Sequence, residues 1–269
     1  MKHFLESWDA IEQKMEGQMV VLCLDYDGTL TPIADTPDLA ILSSENRCLL
    51  ENLAKRCTLA IVSGRALDDV KAKVNLKNIM YIGNHGLEIN GPQLHFESLT
   101  TPQGKENLDR LKNELSMELG IIQGVWIEDK GLTLSVHYRL SQETDEPLIK
   151  KLFQKICRHD IFEKKIRVTE GKKVLDVRPA IDWDKGKALL WLLAKERQVH
   201  GIGKILPVFI GDDKTDEDAL GVIAGQGVGV VVGTKGHSKA EYFLNDTCEV
   251  TESLKCILAF LTAQAAVER

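Results

Sequence analysis

A continuous apolar run near the start of the chain constrains the fold most strongly. Residues Val20 to Leu24 are all apolar, and the run ends at Asp25, shortly before the turn-forming Gly28. An unbroken run of this length, bounded by turn residues, is typical of a strand in a parallel sheet that helices cover on both faces. The sequence therefore predicts an α/β fold in which a buried strand carries a carboxylate at its carboxyl end.

Predicted strands and helices alternate in the first part of the chain and again in the last part, and a central stretch with another pattern separates the two. Before that stretch, the predicted elements are helix Ser44–Leu53, strand Thr58–Val62, helix Asp68–Val74 and strand Ile79–Ile82. After it, they are helix Gly186–Glu196, strand Leu206–Ile210, helix Glu217–Ile223, strand Val228–Val232 and helix Ser253–Gln264. This order predicts one parallel sheet that the first part of the chain begins and the last part completes.

The pattern changes between about residue 103 and residue 182. Helices are predicted over Asn107–Leu119 and Pro147–Cys157. Alternating apolar and polar residues predict two pairs of antiparallel strands, which turn at Asp129-Lys130-Gly131 and at Glu170-Gly171. The αββαββ order indicates an inserted α+β domain. The predicted limits are residues 1–102 and 183–269 for the core domain and residues 103–182 for the inserted domain.

Charge and hydropathy limit the classes of partner and location. The 269 residues carry a net charge of −6, which argues against nucleic acid or an anionic membrane, because such surfaces select proteins with a clustered positive field. The first apolar run is far shorter than the roughly 20 residues of a membrane span, and the residues before it lack the apolar core of a signal peptide. We therefore expect a cytoplasmic protein that captures any anionic substrate by local charge.

Polar residues follow three predicted strands at the points where the strands end. They are Asp25 and Asp27, then Ser63 to Arg65, then Asp212 to Asp216. Ligands of an open parallel sheet bind beyond the carboxyl ends of its strands. Two like charges about 4 Å apart repel by about 4 kcal/mol at an effective dielectric of about 20, so clustered carboxylates imply a cation. Oxygen ligands without His or Cys favour a hard ion, and Mg²⁺ is the predicted cofactor.

The motifs resemble two nested families. Four segments are similar to motifs of the haloacid dehalogenase superfamily of phosphatases: Asp25-Tyr26-Asp27-Gly28-Thr29-Leu30, Ser63-Gly64-Arg65, Asp184-Lys185-Gly186 and Gly211-Asp212-Asp213-Lys214-Thr215-Asp216. Three stretches look like the trehalose-6-phosphate phosphatases: Gly83 to Glu88, Val177 to Leu189, and Gly211 to Ala219. The resemblance covers nearly the full chain. It implies a Rossmann-like parallel-sheet core of the haloacid dehalogenase type with an inserted α+β cap.

The resemblance also implies a reaction, the Mg²⁺-dependent hydrolysis of trehalose 6-phosphate through an aspartyl-phosphate intermediate. It implies that Asp25 attacks phosphorus, while Asp27 donates a proton to the leaving sugar oxygen and then activates water. Ser63 and nearby backbone amides are expected to hold the phosphate, and Lys185 is expected to neutralise charge on Asp25 and on the phosphoryl oxygens. The implied metal ligands are Asp25, Asp27 and Asp212.

Substrate-binding residues are predicted in both domains. The full set is Gly64, Arg65, Asn84, His85, Gly86, Glu128, Lys130, Arg139 and Glu170. By the same resemblance, the turns of the inserted cap face the active site and bind sugar hydroxyls, although hairpin turns are also polar simply because they are wet. Asp213 and Asp216 stay open between two roles: groups that position ligands, or ordinary loop carboxylates.

Three alternatives stay open at this point. One is a phosphatase for another sugar or glycosyl phosphate, such as sucrose phosphate or glucosylglycerol phosphate, because the fold alone does not fix the substrate. Another is a catalytically silent module that binds a sugar phosphate. The third is a phosphomutase, which shares the phospho-aspartate chemistry. The expected partner is a small sugar phosphate, with a functional link to a trehalose-6-phosphate synthase that makes the substrate.

Overall fold

The computed structural model of the chain divides into two compact units. It describes residues 1–92, 94–97, 101–200, 204–233 and 236–267. The core unit consists of residues 1–97 and 183–269, and the inserted unit consists of residues 98–182. The domain limits expected from the sequence remain predictions. Each unit has its own sheet and its own hydrophobic core.

The described helices and strands follow one another in this order. The first part of the core unit contains β1 Lys2–His3, α1 Trp8–Met15, β2 Met19–Leu24, α2 Ser44–Leu53, β3 Thr58–Val62, α3 Leu67–Val74, β4 Met80–Gly83, β5 Glu88–Gly91 and β6 Leu94–Glu97. The inserted unit contains α4 Pro102–Leu119, β7 Trp126–Asp129, β8 Leu134–His137, α5 Glu146–Phe162, β9 Ile166–Gly171 and β10 Val174–Pro179. The core unit then continues with α6 Lys185–His200, β11 Ile205–Gly211, α7 Asp216–Ile223, β12 Val228–Val232, β13 Tyr242–Leu244 and α8 Thr247–Val267.

The core sheet places β2 between two parallel neighbours, β11 and β3. Within the described residues the strand order is β1-β13-β12-β11-β2-β3-β4-β5-β6. In this order, every neighbouring pair from β1 through to β4 is parallel, and β5 and β6 add an antiparallel edge. Because β11 and β3 flank β2 in parallel, the carboxyl ends of these three strands lie together at one edge of the sheet.

Alternation along β2 explains why helices cover both faces of the sheet. Leu22 and Leu24 belong to one buried cluster, which includes residues of α1, α2, α3 and α8. Val21 and Cys23 belong to a second buried cluster, which includes residues of α6 and α7. Successive side chains of a strand point to opposite faces, so a strand covered on both faces must be apolar throughout. The predicted α/β class is confirmed.

The inserted unit is an antiparallel sheet with helices on one face. Its strand order is β7-β8-β10-β9, and Val136 and Leu175 are buried with residues of α4 and α5. The expected turn at Glu170-Gly171 is wrong by two residues, because Gly171 still pairs with Val174. Lys173 takes the positive φ of 65° that the turn needs, and the glycine stays in the ladder.

Several helices are longer than the apolar pattern predicts, because their caps lie outside that pattern. Helix α4 begins at Pro102, after Thr101 accepts a hydrogen bond from the Gly104 N–H at 3.1 Å. Helix α8 begins at Thr247, where the Asp246 carboxylate accepts from two backbone N–H groups of the first turn. Such caps satisfy backbone donors that the first turn leaves unpaired. Among the described helices, none combines the length and the apolar content that crossing a membrane requires.

We expect the centre of β2 to dominate the stability of the core unit. Leu22 is fully buried, so Leu22→Ala should lower the free energy of unfolding by about 2–5 kcal/mol. Leu190 on α6 is 47% exposed, and Leu190→Ala should change that free energy by about 0.5 kcal/mol or less. Urea unfolding of the two variants measures both values. Equal losses in the two variants would contradict the placement of Leu22.

Candidate active site

Backbone hydrogen bonds fix the loops that follow β2 and β3. The Asp25 N–H donates to the Ile210 carbonyl of β11 at 2.9 Å, which continues the ladder to the first residue after β2. The Ser63 N–H donates to the Ile82 carbonyl of β4 at 2.8 Å. Asp25 and Ser63 are thus held at the carboxyl edge of the sheet as rigidly as the strands themselves.

A buried lysine joins two aspartates at this edge. Lys185, the first residue of α6, donates from Nζ to Asp25 Oδ1 at 2.9 Å and to Asp216 Oδ1 at 2.7 Å. Lys185 is 2% exposed, Asp25 5% and Asp216 0%. Charges this deeply buried are tolerated only when they are paired and hydrogen-bonded. Asp25, Lys185 and Asp216 therefore form one electrostatic unit, here called the buried charge cluster.

Asp216 also holds the loop that follows β11. Its Oδ2 accepts from the backbone N–H of Asp212 at 3.1 Å and from that of Asp213 at 2.9 Å. Both carboxylate oxygens of Asp216 are therefore occupied by protein donors. The Asp213 carboxylate accepts from the Lys214 N–H at 2.6 Å. Asp216 thus binds the backbone of the loop after β11, and the Asp213 carboxylate binds the backbone of that same loop. The roles of both residues in the reaction remain predictions.

The carboxylates at this edge fit a hard cation. Asp25, Asp212 and Asp216 each offer an oxygen, and these oxygens lie within 4.8 Å of one another. The ammonium group of Lys185 contacts two members of this set, Asp25 and Asp216. Three carboxylates that lie this close repel one another, so the set attracts a cation, and its all-oxygen chemistry suits Mg²⁺. With Asp216 engaged by protein donors, Asp25 and Asp212 are the residues suited to hold the ion.

Gly28 leaves the space that Asp212 needs. Its φ is +86°, a conformation that favours glycine, and a Cβ atom at this position would collide with the Asp212 carboxylate. The loop after β2 and the loop after β11 therefore meet at a point where a side chain is excluded. This close approach is a second, independent sign that the Asp212 carboxylate points towards the loop that follows β2.

Burial and charge act in opposite directions on the buried charge cluster. Burial raises the pKa of the Asp25 carboxyl well above its usual range, and Lys185 counteracts this by lowering that pKa. Burial lowers the pKa of Lys185, but Asp216 and Asp25 raise it more, so its pKa lies above the ordinary value. Lys185 is therefore protonated at neutral pH. A cation beside Asp25 favours the ionised carboxylate in the same way that Lys185 does.

Arg65 holds the carboxylate of Asp27. Its guanidinium donates to both carboxylate oxygens of Asp27, each at 2.6 Å, to Asp69 at 2.7 Å and to the Pro37 carbonyl at 2.9 Å. Arg65 is 6% exposed, and such a bidentate pair is among the stronger protein hydrogen-bonding arrangements. The Asp27 carboxylate is therefore engaged by Arg65, outside the three-carboxylate set. Its roles as metal ligand and as proton donor remain predictions.

The loops after β3 and β4 pack closely against each other. Ser63 Oγ accepts from the Arg65 N–H at 3.1 Å, so its own hydroxyl remains as a donor. A Cβ atom on Gly64 would collide with the His85 ring. Asn84 donates from Nδ2 to Glu88 at 2.5 Å. Among the described residues, Gly64 and His85 thus meet, while Asn84 is directed to the start of β5.

The inserted unit separates its four predicted sugar-binding residues. Glu128 lies in β7, and Lys130 lies in the turn after it, with Lys130 Nζ 3.9 Å from the Glu128 carboxylate. Arg139 donates to the Lys172 carbonyl at 2.7 Å. Glu170 pairs with Leu175 across the ladder, and its carboxylate contacts Lys150 of α5. Since directly opposite side chains share a face, Glu170 lies on the helix-covered face of the sheet.

Sequence reasoning missed the partners of the predicted residues. Asp69 binds Arg65, and Trp183 donates from its indole to the Gly86 carbonyl at 2.6 Å. His137 binds Glu128 at 2.7 Å. Arg65 lies two residues before α3 and Asp69 lies in the first turn of that helix, so their spacing of four residues was an available signal for this pair. The Trp183–Gly86 contact joins residues 97 positions apart, and the His137–Glu128 contact depends on the register of β7 and β8.

Fold and site together define a class of protein. A parallel sheet bears aspartates beyond β2, a serine beyond β3, a lysine at the start of α6 and aspartates beyond β11, which is the arrangement expected from the resemblance to the haloacid dehalogenase superfamily. The solved C-terminal domain of trehalose-6-phosphate phosphatase from C. albicans matches this fold with a TM-score of 0.84 and 23% sequence identity, over 96% of this chain and 99% of that chain.

The amino-acid sequence also matches a protein family. The trehalose-phosphatase family model matches residues 23–248. Probable trehalose-phosphate phosphatase 4 of Oryza sativa subsp. japonica is 37% identical over 256 residues, which cover 93% of this chain and 69% of the relative. Trehalose-phosphate phosphatase B of Arabidopsis thaliana is 35% identical over 263 residues, with the same two coverages of 93% and 69%. The chain belongs to the trehalose-phosphatase family.

A methyl group at position 28 tests the close approach of Asp212. Gly28→Ala should destabilise the fold and weaken Mg²⁺ binding, because both the φ angle and the Asp212 contact exclude a Cβ. Gly225 has a φ of +75° and nothing within 4 Å of its Cβ position, so Gly225→Ala isolates backbone strain of about 1 kcal/mol. Thermal unfolding compares the stability of the Gly28→Ala and Gly225→Ala variants, and titration calorimetry compares their affinity for Mg²⁺. The same Mg²⁺ affinity in both variants would argue against an Asp212 carboxylate at the metal.

Removing the lysine charge tests the buried charge cluster. Lys185→Met leaves two buried carboxylates without their cation and should lower the free energy of unfolding by about 3–5 kcal/mol. Lys195 of the same helix donates to Gln198 at 3.3 Å, and Lys195→Met should cost about 1 kcal/mol or less. Urea unfolding measures both values. If Lys195→Met is as costly as Lys185→Met, the cluster does not have the importance assigned to it.

Proposed function

We propose that this chain hydrolyses trehalose 6-phosphate to trehalose and inorganic phosphate. The observation that carries the proposal is the carboxylate of Asp25, held at the end of β2 by Lys185 at 2.9 Å and close to Asp212. A fixed, deeply buried carboxylate with a lysine and a cation-binding partner is suited to attack phosphorus in line. Membership of the trehalose-phosphatase family supports the choice of substrate.

In the first step, an oxygen of Asp25 attacks phosphorus and the bond from phosphorus to the sugar oxygen breaks. The leaving oxygen takes a proton from Asp27, and an aspartyl phosphate forms on Asp25. Lys185 and the Ser63 hydroxyl bind phosphoryl oxygens and offset their charge. Because Arg65 occupies both oxygens of the Asp27 carboxylate, Asp27 must separate from Arg65 and take up a proton before it delivers that proton to the leaving oxygen.

In the second step, water replaces the aspartate at phosphorus. Asp27, now ionised, takes a proton from that water, whose oxygen bonds to phosphorus while the bond to Asp25 breaks. The products are inorganic phosphate and the original Asp25 carboxylate. One side chain thus serves as acid and then as base, as a two-step hydrolysis requires. A phosphomutase would pass the phosphoryl group to a sugar at this point instead of to water.

A magnesium ion supplies charge neutralisation for the phosphoryl group and for the attacking carboxylate. Asp25 and Asp212 hold it with their carboxylates, and Asp216 keeps the loop of Asp212 in place through two backbone N–H groups. The predicted participation of Asp27 rests on the family resemblance alone. Asp216 also accepts from Lys185 at 2.7 Å, which ties the loop after β11 to the start of α6.

In this proposal the inserted unit selects the sugar. This unit corresponds to the predicted cap of residues 103–182. Glu128 and Lys130 lie close together and offer an acceptor and a donor for sugar hydroxyls. Arg139 is a third candidate, while Glu170 is paired with Lys150 on the other face. The small-molecule partner is a sugar phosphate, and a synthase makes it. The expected cytoplasmic location is part of the same proposal.

A panel of phosphate esters tests this function. We expect phosphate release from trehalose 6-phosphate to exceed release from glucose 6-phosphate, sucrose 6-phosphate and glucosylglycerol phosphate, to stop with EDTA and to return with Mg²⁺. Asp25→Asn should abolish turnover, because an amide oxygen is a poor nucleophile. Asp213→Asn is the matched control, since the Asp213 carboxylate binds its own loop, and should retain most of the activity.

Three outcomes would change the conclusion. Preference for another ester would keep the mechanism and reject the substrate. Near-normal turnover by Asp25→Asn would reject the aspartyl-phosphate route. Binding of trehalose 6-phosphate without phosphate release from any ester, at saturating Mg²⁺, would favour a silent binding module.

A further inference from the structure

One face of the sheet in the inserted unit carries a row of polar side chains. Ser135 of β8 lies directly opposite Glu128 of β7 on one side and Asp176 of β10 on the other. Trp126 lies opposite His137 in the next row. Because opposite residues and alternate residues share a face, these five side chains lie on one side of the sheet. We call this side the polar face.

The polar face is distinct from the hydrophobic core of the inserted unit. Val136 and Leu175, which alternate with the polar residues, are buried with Leu111 of α4 and Ile149 of α5. The polar residues therefore contribute little to the apolar packing that holds the helices on the sheet. Their mutual contacts call for another explanation.

His137 fixes the carboxylate of Glu128. A hydrogen bond joins His137 Nε2 to Glu128 Oε2 at 2.7 Å. The imidazole is itself held by Trp126, whose ring stacks on it at a centroid distance of 4.6 Å and an interplanar angle of 9°. The stacked ring sets the plane of the imidazole, and the imidazole sets the direction of the carboxylate.

Asp176 and Ser135 fix the ammonium of Lys130. Asp176 Oδ1 lies 3.7 Å from Lys130 Nζ, and the Ser135 hydroxyl donates a hydrogen bond to that same oxygen. The Lys130 ammonium is also 3.9 Å from Glu128. Glu128 and Lys130 thus belong to one network, and each is anchored by a residue of a neighbouring strand.

We propose that His137 and Asp176 are positioning residues that hold Glu128 and Lys130 ready to bind sugar hydroxyls, an inference that rests on the proposed function. Lysine and glutamate side chains lose much rotamer freedom when they bind a ligand. A network that restricts them beforehand removes part of this cost, which improves affinity without adding a contact. His137 and Asp176 act through Glu128 and Lys130, and the phosphoryl chemistry belongs to the core unit.

The test separates binding of the sugar from binding of phosphate in one assay. His137→Ala and Asp176→Asn should each raise the KM for trehalose 6-phosphate by about two- to tenfold, the effect of freeing one side chain. The inhibition constant of inorganic phosphate and kcat should stay unchanged, because they report on the core unit. His137→Gln keeps an N–H donor for Glu128 and should restore part of the affinity.

Lys112→Met is the matched control. Lys112 of α4 pairs with Asp129, the neighbour of Glu128, at 2.8 Å, so this variant breaks an ion pair of the same unit outside the network. Its KM should equal that of the wild type. Thermal unfolding of every variant shows whether the inserted unit stays folded, and His137→Gln supplies the comparison if His137→Ala does not fold.

The outcomes distinguish the inference from the function on which it rests. An unchanged KM in both His137→Ala and Asp176→Asn, in an enzyme that prefers trehalose 6-phosphate to glucose 6-phosphate, overturns the positioning role alone. A parallel rise in the inhibition constant of phosphate, or an equal rise of KM in Lys112→Met, also overturns it, because the effect is then general. A wild-type enzyme without that preference overturns the proposed function and the inference with it.

Discussion

The pairing of Lys185 with two buried aspartates is the constraint on which the site depends. An ammonium group that is 2% exposed needs partners, and the fold supplies Asp25, directly after β2, and Asp216, the first residue of α7. Breaking such a pair by removing one partner typically costs about 3–5 kcal/mol. The position of β11 beside β2 therefore serves the chemistry of the site as well as the packing of the sheet.

The fold was predictable where local pattern and tertiary environment agree. Strand β12 and helix α2 occupy the expected residues, because their apolar spacing records their burial directly. Strands β1 and β13 were not anticipated, since strands of two or three residues are too short to carry a periodic signal. The turn between β9 and β10 was misplaced because Gly171 suggests a turn, while Lys173 adopts the positive φ.

The site was predictable as a set of strand-end motifs and less so as a set of contacts. Position after a buried strand was enough to select Asp25 and Asp212, whose oxygens lie within 4.8 Å of each other together with Asp216. The pairing of Asp27 with Arg65 and the placement of Glu170 on the helix-covered face depend on rotamers and on ladder register. A shift of one residue in register reverses the face of every side chain in a strand, and the sequence alone did not fix that register.

The most direct test of Asp25 as the nucleophile is a crystal structure grown with Mg²⁺ and beryllium fluoride, which bonds to a reactive carboxylate as a mimic of the phosphoryl group. We predict beryllium bonded to an oxygen of Asp25, with Lys185 in contact with the fluorides and the metal ion held by Asp25 and Asp212. An adduct on another residue would contradict the role of Asp25 as the nucleophile, and a metal ion that avoids Asp212 would contradict the proposed metal site.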